Sequence, residues 1–252
     1  MNALGFGELE SNVIGVGFKK VDILEVRSWR SPVSHYNEEE VGTARIRRIE
    51  YEPGIYFMEG VAGYDFFHIF NPIKITVLEI KNVDWDTAMV DDPLHTFGML
   101  GLANACRGKV LVAGLGLGLV IHFLALNDKV DEIHVVEINK DVIALVGKYL
   151  GRYDKVEIIN DDFKQYLRYN IPIETYDYAI LDLWSVSSGD SQEYRKKVVN
   201  EMAELYLETY FIADKVYIWG MREPDRNPAV RKIVDTELLE IVRREIYEAQ
   251  RR

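Results

Sequence analysis

Three glycines and one carboxylate define the chemistry open to this chain. Lys109-Val-Leu-Val-Ala-Gly114-Leu-Gly116-Leu-Gly118 carries an apolar strand into a glycine-rich turn, and Val135-Val136-Glu137 ends a second apolar strand downstream. Glycines let the backbone turn with positive φ and leave bare N–H groups at the start of the next helix. A carboxylate at the tip of the neighbouring strand can accept from two vicinal ribose hydroxyls. Gly114, Gly116, Gly118 and Glu137 therefore read as a nucleoside pocket. A pyrophosphate fingerprint needs its last glycine where Leu119 stands, so the spacing favours the single nucleoside of an S-adenosyl cofactor over a dinucleotide. The alternative is a tight strand–helix turn followed by a solvated acid.

Two more strands end on acids. Val156-Glu-Ile-Ile-Asn160 leads into Asp161-Asp162-Phe163. Asp162 suits an adenine amino group with Phe163 beside the ring, while either Asp161 or Asp162 suits the cap of the following helix. Tyr178-Ala-Ile-Leu-Asp182 leads into Leu183-Trp184-Ser185. Asp182 is the candidate catalytic residue, facing the reacting end of the ligand and orienting or deprotonating an acceptor. The polar run from Ser185 to Asp190 reads as a gating loop, and Trp184 as either a packing or a site aromatic. His68 and His95 are candidate bases without an obvious partner in sequence, whereas His122 and His134 read as structural. The histidines show no metal-ligand spacing, and no metal is expected. Arg45, Arg47 and Arg48 read as a solvated face or as a guide for an anionic substrate. The aromatics between Tyr51 and Phe70 read as sheet core, with a share left to cover a site or a dimer interface.

The elements that must position these groups come in two patterns. Up to residue 90 the chain is strand-rich: Val21–Val26 alternates, Thr43–Tyr51 and Ile55–Gly60 flank the turn Glu52-Pro53-Gly54, and Asp65–Phe70 and Ile73–Ile80 flank Asn71-Pro72. Ser31–Gly42 reads as a loop. Asp91-Asp92-Pro93 starts a helix running to about Cys106. Strands then alternate with helices: strands near Val110–Ala113, Ile133–Glu137, Val156–Ile159, Tyr178–Asp182 and Val216–Trp219, and helices near Leu119–Leu126, Lys140–Leu150, Phe163–Tyr169 and Gln192–Ala213. The pattern predicts an α/β fold: a Rossmann-like parallel sheet with helices on both faces at residues 91–252, preceded by a small β-rich N-terminal domain at 1–90. After the loop Arg222–Pro228, Val230, Val234, Leu238, Ile241 and Ile246 keep helical spacing, predicting a terminal helix that docks on the domain or serves an oligomer contact.

With 48% hydrophobic residues the chain can bury a real core. A net charge of −11 argues against broad nucleic-acid binding. One cysteine, Cys106, excludes an internal disulfide, and no leader or membrane-length apolar run is present, so a cytoplasmic protein is expected. Abundant Lys, Arg and Glu with scarce Gln suggest heat adaptation.

From about Asp91 to Trp219 the chain resembles the class I S-adenosylmethionine-dependent methyltransferases, and within that fold the spermidine synthase family. The resemblance rests on Gly114–Gly118, Val136-Glu137-Ile-Asn, Asn160-Asp161-Asp162 and Tyr176-Asp-Tyr-Ala-Ile-Leu-Asp182, with a strand-rich region in front. It implies a transferase that binds S-adenosylmethionine or its decarboxylated form. The departures concern the reaction. The family's loop acid is Leu117 here, its Tyr-His-Glu cluster is Thr96-Phe97-Gly98, and its second acid after the fourth strand is Ser185. Those acids would hold a polycationic amine, and an apolar Leu117 offers it nothing. The expectation is methyltransferase-like transfer to a small-molecule acceptor. The alternatives are aminopropyl transfer and a noncatalytic nucleoside-binding or assembly protein.

Overall fold

The computed structural model describes residues 5–16, 19–57, 66–170, 175–183, 191–219 and 231–232. The chain opens with β1 (Leu9–Val16), β2 (Lys19–Val26), β3 (Glu39–Val41), β4 (Ala44–Tyr51), β5 (Gly54–Phe57), β6 (Phe66–Ile69), β7 (Ile73–Lys81) and β8 (Trp85–Val90). These strands form two sheets, since β3, β4, β7 and β8 pair in that order, and β1, β2, β6 and β5 pair in another. All these pairings are antiparallel except the parallel one between β2 and β6. Both expected turns move the chain between sheets: Glu52-Pro53 takes it from β4 to β5, and Asn71-Pro72 returns it from β6 to β7. A proline cannot donate to a ladder, so it suits a crossing better than a strand.

The α/β part follows as α1 (Pro93–Ala105), β9 (Gly108–Ala113), α2 (Leu119–Leu126), β10 (Val130–Glu137), α3 (Lys140–Leu150), β11 (Val156–Asn160), α4 (Phe163–Asn170), β12 (Tyr176–Leu181), α5 (Gln192–Thr209) and β13 (Ala213–Ile218). The sheet order is β11-β10-β9-β12-β13, with every pairing parallel. The predicted Rossmann-like sheet is present. Its faces separate by alternation along the strands. Val110, Val112, Ile133, Val135 and Ile180 pack against α1, α2 and α3, while Leu111, Ala113, Val136, Ala179 and Leu181 pack against α4 and α5. The first face also receives Phe6, Val33, Tyr36, Ala44, Ile46 and Leu78, so residues before and after position 90 share one core.

Three local expectations are corrected. Glu39–Val41 is a short strand, not loop; it is an edge strand with both glutamates exposed, and such strands are charged. The helix expected at Gln192–Ala213, α5, ends at Thr209, and Tyr210–Ile212 turn so that Ile212 O accepts from Tyr176 N at 2.7 Å and Ala213 starts β13. Arg231 and Lys232, expected in a helix, form β14 (Arg231–Lys232), antiparallel to Phe57 and Tyr56 on β5. That pairing is set by a strand far away in sequence, which local periodicity does not register. The remainder of the expected terminal helix, the loop Arg222–Pro228, Trp184 and Ser185–Asp190 lie outside the described residues.

Candidate functional site

β9 lies at the centre of the parallel sheet, with β10 on one side and β12 on the other. Chain order reverses there, so the carboxyl ends of β9, β10 and β12 open a crevice. The glycine turn occupies it. Gly114 (φ +94°) donates its N–H to Val136 O at 2.9 Å, and a Cβ at Gly114 would run into the carbonyl oxygen of Asp182. Gly116 has φ +50°. Gly118, also left-handed, is the N-cap of α2 and supplies no side-chain cap. Leu117 is fully buried, its side chain in the core.

Glu137 closes β10 and reaches back to the loop. Its Oε2 accepts from Leu115 N at 2.8 Å and its Oε1 from Asn139 N at 2.8 Å. Two amides thus fix the carboxylate, and each oxygen keeps a second lone pair. Asn139 in turn caps α3, its Oδ1 accepting from Asp141 N at 2.9 Å.

Asp182 stands on the other side, just past β12, its N–H donating to Ala113 O at 2.9 Å. The residue keeps some exposure, but protein surrounds its carboxyl; desolvation pushes it up to about 6, and nearby His95 opposes the rise. His95 has a partner the sequence reading did not supply. Asp92, fully buried, caps α1 by accepting from His95 N at 2.9 Å with Oδ1, and its Oδ2 meets His95 Nδ1 at 2.9 Å. Burial alone would lower the His95 pKa; the charges of Asp92, then Asp182 and Asp91, outweigh it and the pKa is raised above 6.5. Trp219 lies beside the ring at 6.1 Å between centroids, held by its N–H on Leu181 O at 3.0 Å. The chain thus brings Asp92, His95, Asp182 and Trp219 to one end of the crevice and Glu137 to the other. Signal for the dyad was present in sequence: a capping Asp binds the N–H three residues on, which sets the side chain at that position, here histidine, over its free oxygen.

Asp161 and Asp162 lie at the next strand end, both partly exposed. Asp161 Oδ1 accepts from Asp162 N at 2.8 Å, and Asp162 Oδ1 accepts from Gln165 N at 3.1 Å in the first turn of α4. Asp162 therefore performs the capping task with one oxygen. Phe163 is 4% exposed and packs with Leu111, Ala113 and Val136 under the sheet.

His122, His134, Arg45 and Arg48 are engaged within the fold. His122 is fully buried between Tyr36 OH at 2.6 Å and Tyr153 OH at 3.0 Å, and desolvation lowers its pKa to about 3. His134 meets Tyr176 OH at 2.9 Å and Glu132 Oε1 at 2.6 Å. Arg45 pairs with Glu79 at 2.5 Å and lies over Trp85, while Arg48 spends its guanidinium on Ser34 O, Tyr36 O and Thr76 Oγ1. Asp91, fully buried and bonded by Ser31 Oγ and Thr76 N, ties the strand-rich part to α1. Among the described residues no cluster of three or more His, Cys, Asp or Glu is arranged to hold a metal, and no helix is long and apolar enough to cross a membrane.

No protein-family profile matches the sequence, and neither does any curated protein. Solved structures similar to this chain include spermidine synthase from Thermotoga maritima (18% identity, TM-score 0.38, covering 70% of this chain and 60% of that one). A Streptococcus mutans protein assigned provisionally as a SAM-dependent methyltransferase matches at 17% identity and TM-score 0.37, covering 55% and 36%. Human methyltransferase-like protein 13, in complex with SAH, matches at 21% and 0.35, covering 47% and 60%. This chain thus spans between 36% and 60% of the length of these three structures.

Proposed function

We propose that this protein is an S-adenosylmethionine-dependent transferase acting on a small-molecule acceptor. One observation carries the reading: two strand-tip carboxylates, Glu137 and Asp182, flank the glycine turn from opposite sides at the point where the strand order reverses. Glu137 serves the sugar end and Asp182 with His95 the reacting end. The division into a β-rich region, 1–90, and a nucleoside-binding region, 91–252, that share one core belongs to the same proposal.

The residues present fit such a ligand. Glu137 is pre-oriented by two amides with acceptor capacity to spare. The start of α2 carries no side-chain cap, leaving its N–H groups to a polar or anionic tail. Asp161 and Asp162 sit at the next strand end, where a base can be met by the free oxygen of Asp162. The cofactor supplies a carbon already activated by a sulfonium, so alignment of the acceptor does most of the work.

The protein's own part is the fate of the acceptor's proton. His95, held by Asp92 with its ring partly exposed, is placed to take that proton, and Asp182 to orient the group that loses it. Desolvation pushes Asp182 up to about 6, and its carboxyl accepts a hydrogen bond when ionised and donates one when protonated. Aminopropyl transfer to a polyamine finds less support. Leu117 turns its side chain into the core, and Thr96 is buried with its Oγ1 on Asp91 O at 3.0 Å, so neither offers charge to a polycation.

Calorimetric titration with S-adenosylhomocysteine tests the reading. We expect one site, weakened by roughly 1.5–3 kcal/mol in Glu137→Ala, the range for hydrogen bonds to charged groups. Equal affinity in both proteins would remove Glu137 from the site.

A further inference from the structure

Met89 reaches from the last strand of the N-terminal region into the glycine turn. Its Sδ accepts from Leu117 N at 3.2 Å, and a Cβ on Gly116 would lie 2.5 Å from that sulfur. The thioether therefore fills the notch that Gly116 leaves. The other two notches are closed differently: Asp182's backbone carbonyl lies against Gly114, and Val146 and Leu150 lie against Gly118 at 3.3–3.5 Å. Only Gly116 faces the end of a flexible, partly exposed side chain.

The strand is built to aim it there. In the β7–β8 ladder Leu78 pairs with Met89 but Glu79 pairs with Thr87, so Ala88 is an extra, unpaired residue. A bulge of this kind bends a strand and redirects the neighbouring side chain, and bulges recur beside binding sites.

We propose that Met89 sets how strongly the crevice holds the charged tail of an S-adenosyl ligand relative to its nucleoside. The inference rests on the nucleoside site proposed above. A thioether is a weak acceptor, and the Leu117 N–H, in the turn just before α2, is better satisfied by a carboxylate. Met89 and the carboxylate of an amino-acid tail thus compete for the Leu117 amide and for the space at Gly116. Methionine rotates about three bonds, so it yields to a strong competitor, at a cost in affinity that a tailless nucleoside escapes.

The test compares adenosine and S-adenosylhomocysteine on the intact protein by calorimetry, with and without Met89→Ala. The variant is expected to bind S-adenosylhomocysteine roughly tenfold more tightly and adenosine equally well. A second measurement needs no variant: with methyl-labelled methionine, the Met89 resonance moves on adding S-adenosylhomocysteine and stays in place on adding adenosine. Unchanged S-adenosylhomocysteine affinity with a stationary Met89 signal would overturn the role of Met89 while leaving the nucleoside site standing. An equal gain for both ligands would do the same. Failure of the wild-type protein to bind either ligand would overturn the nucleoside site, and the proposal with it.

Discussion

The two flanks of the glycine turn carry the same functional group in opposite settings. On the β10 side, Glu137 is met by two backbone amides at 2.8 Å each. On the β12 side, desolvation dominates at Asp182, with His95 as its counterweight, and the carboxyl rises to about 6. A carboxylate oriented by fixed donors, with lone pairs to spare, suits a holding group, because its direction is settled before any ligand arrives. A carboxylate short of solvation is a working group, because its charge responds to whatever approaches. Under the proposed function, the difference gives binding to one flank and proton handling to the other. The same contrast separates two histidines: His122 is locked neutral between tyrosines, while His95 is held ready for charge by Asp92.

The comparison breaks most visibly at the working flank. Asp182→Asn is expected to cut turnover by roughly 10²–10⁴, the range for a positioned acid–base group, with S-adenosylhomocysteine affinity unchanged. Steady-state rates with an acceptor found by screening, alongside calorimetry, check this. An equal loss in affinity would make Asp182 another holding group.

Between the flanks, Gly114→Ala is expected to lower stability by roughly 3 kcal/mol, since φ +94° strains any side chain and the new Cβ meets the Asp182 carbonyl. Denaturant melts measure it. A neutral result would mean that the turn and β12 are not in contact.

A smaller effect sharpens the comparison through pH. Asp182 ordinarily titrates at 3.8 and is raised to about 6, so the folded protein binds its proton before the unfolded chain does. Stability from this group is present in full below 3.8 and is lost as pH rises to about 6. Asp182→Asn should therefore stabilise the fold at pH 7 by about 1–3 kcal/mol, an advantage that shrinks as pH falls from 6 to 4. His122 acts in the other direction: lowered from 6.5 to about 3, it lets the unfolded chain take protons first, so stability falls as pH drops through that window in both proteins. Melts of the pair at pH 7 and pH 4 report the Asp182 difference together with the part of the His95 shift that Asp182 causes.

The smallest effect is spectroscopic. In proton-detected titrations His95 should titrate above 6.5 and His122 near 3. Reversed values would exchange their roles.

Much of this was legible in the sequence, unevenly and for physical reasons. The parallel sheet reads clearly because strands covered on both faces are continuous apolar runs, such as Val110-Leu-Val-Ala113, and because each ends on a glycine or an acid. The strand-rich part reads poorly as topology: the strands flanking Glu52-Pro53 belong to different sheets, and β14 finds β5 across most of the chain. The positions of Glu137 and Asp182 at strand ends beside the glycine turn are legible because the strands before them are. The Asp92–His95 pair was within reach, since both partners lie in one helix turn. Met89 was not, because neither the bulge at Ala88 nor the contact with Leu117 leaves a local trace.

The most direct measurement is a structure of the protein with S-adenosylhomocysteine bound. The account places the ribose hydroxyls on Glu137 and the sulfur toward Asp182 and His95, with Met89 turned out of the Gly116 notch. A ligand bound elsewhere, or a crevice that stays closed by Met89 at saturating ligand, would contradict it.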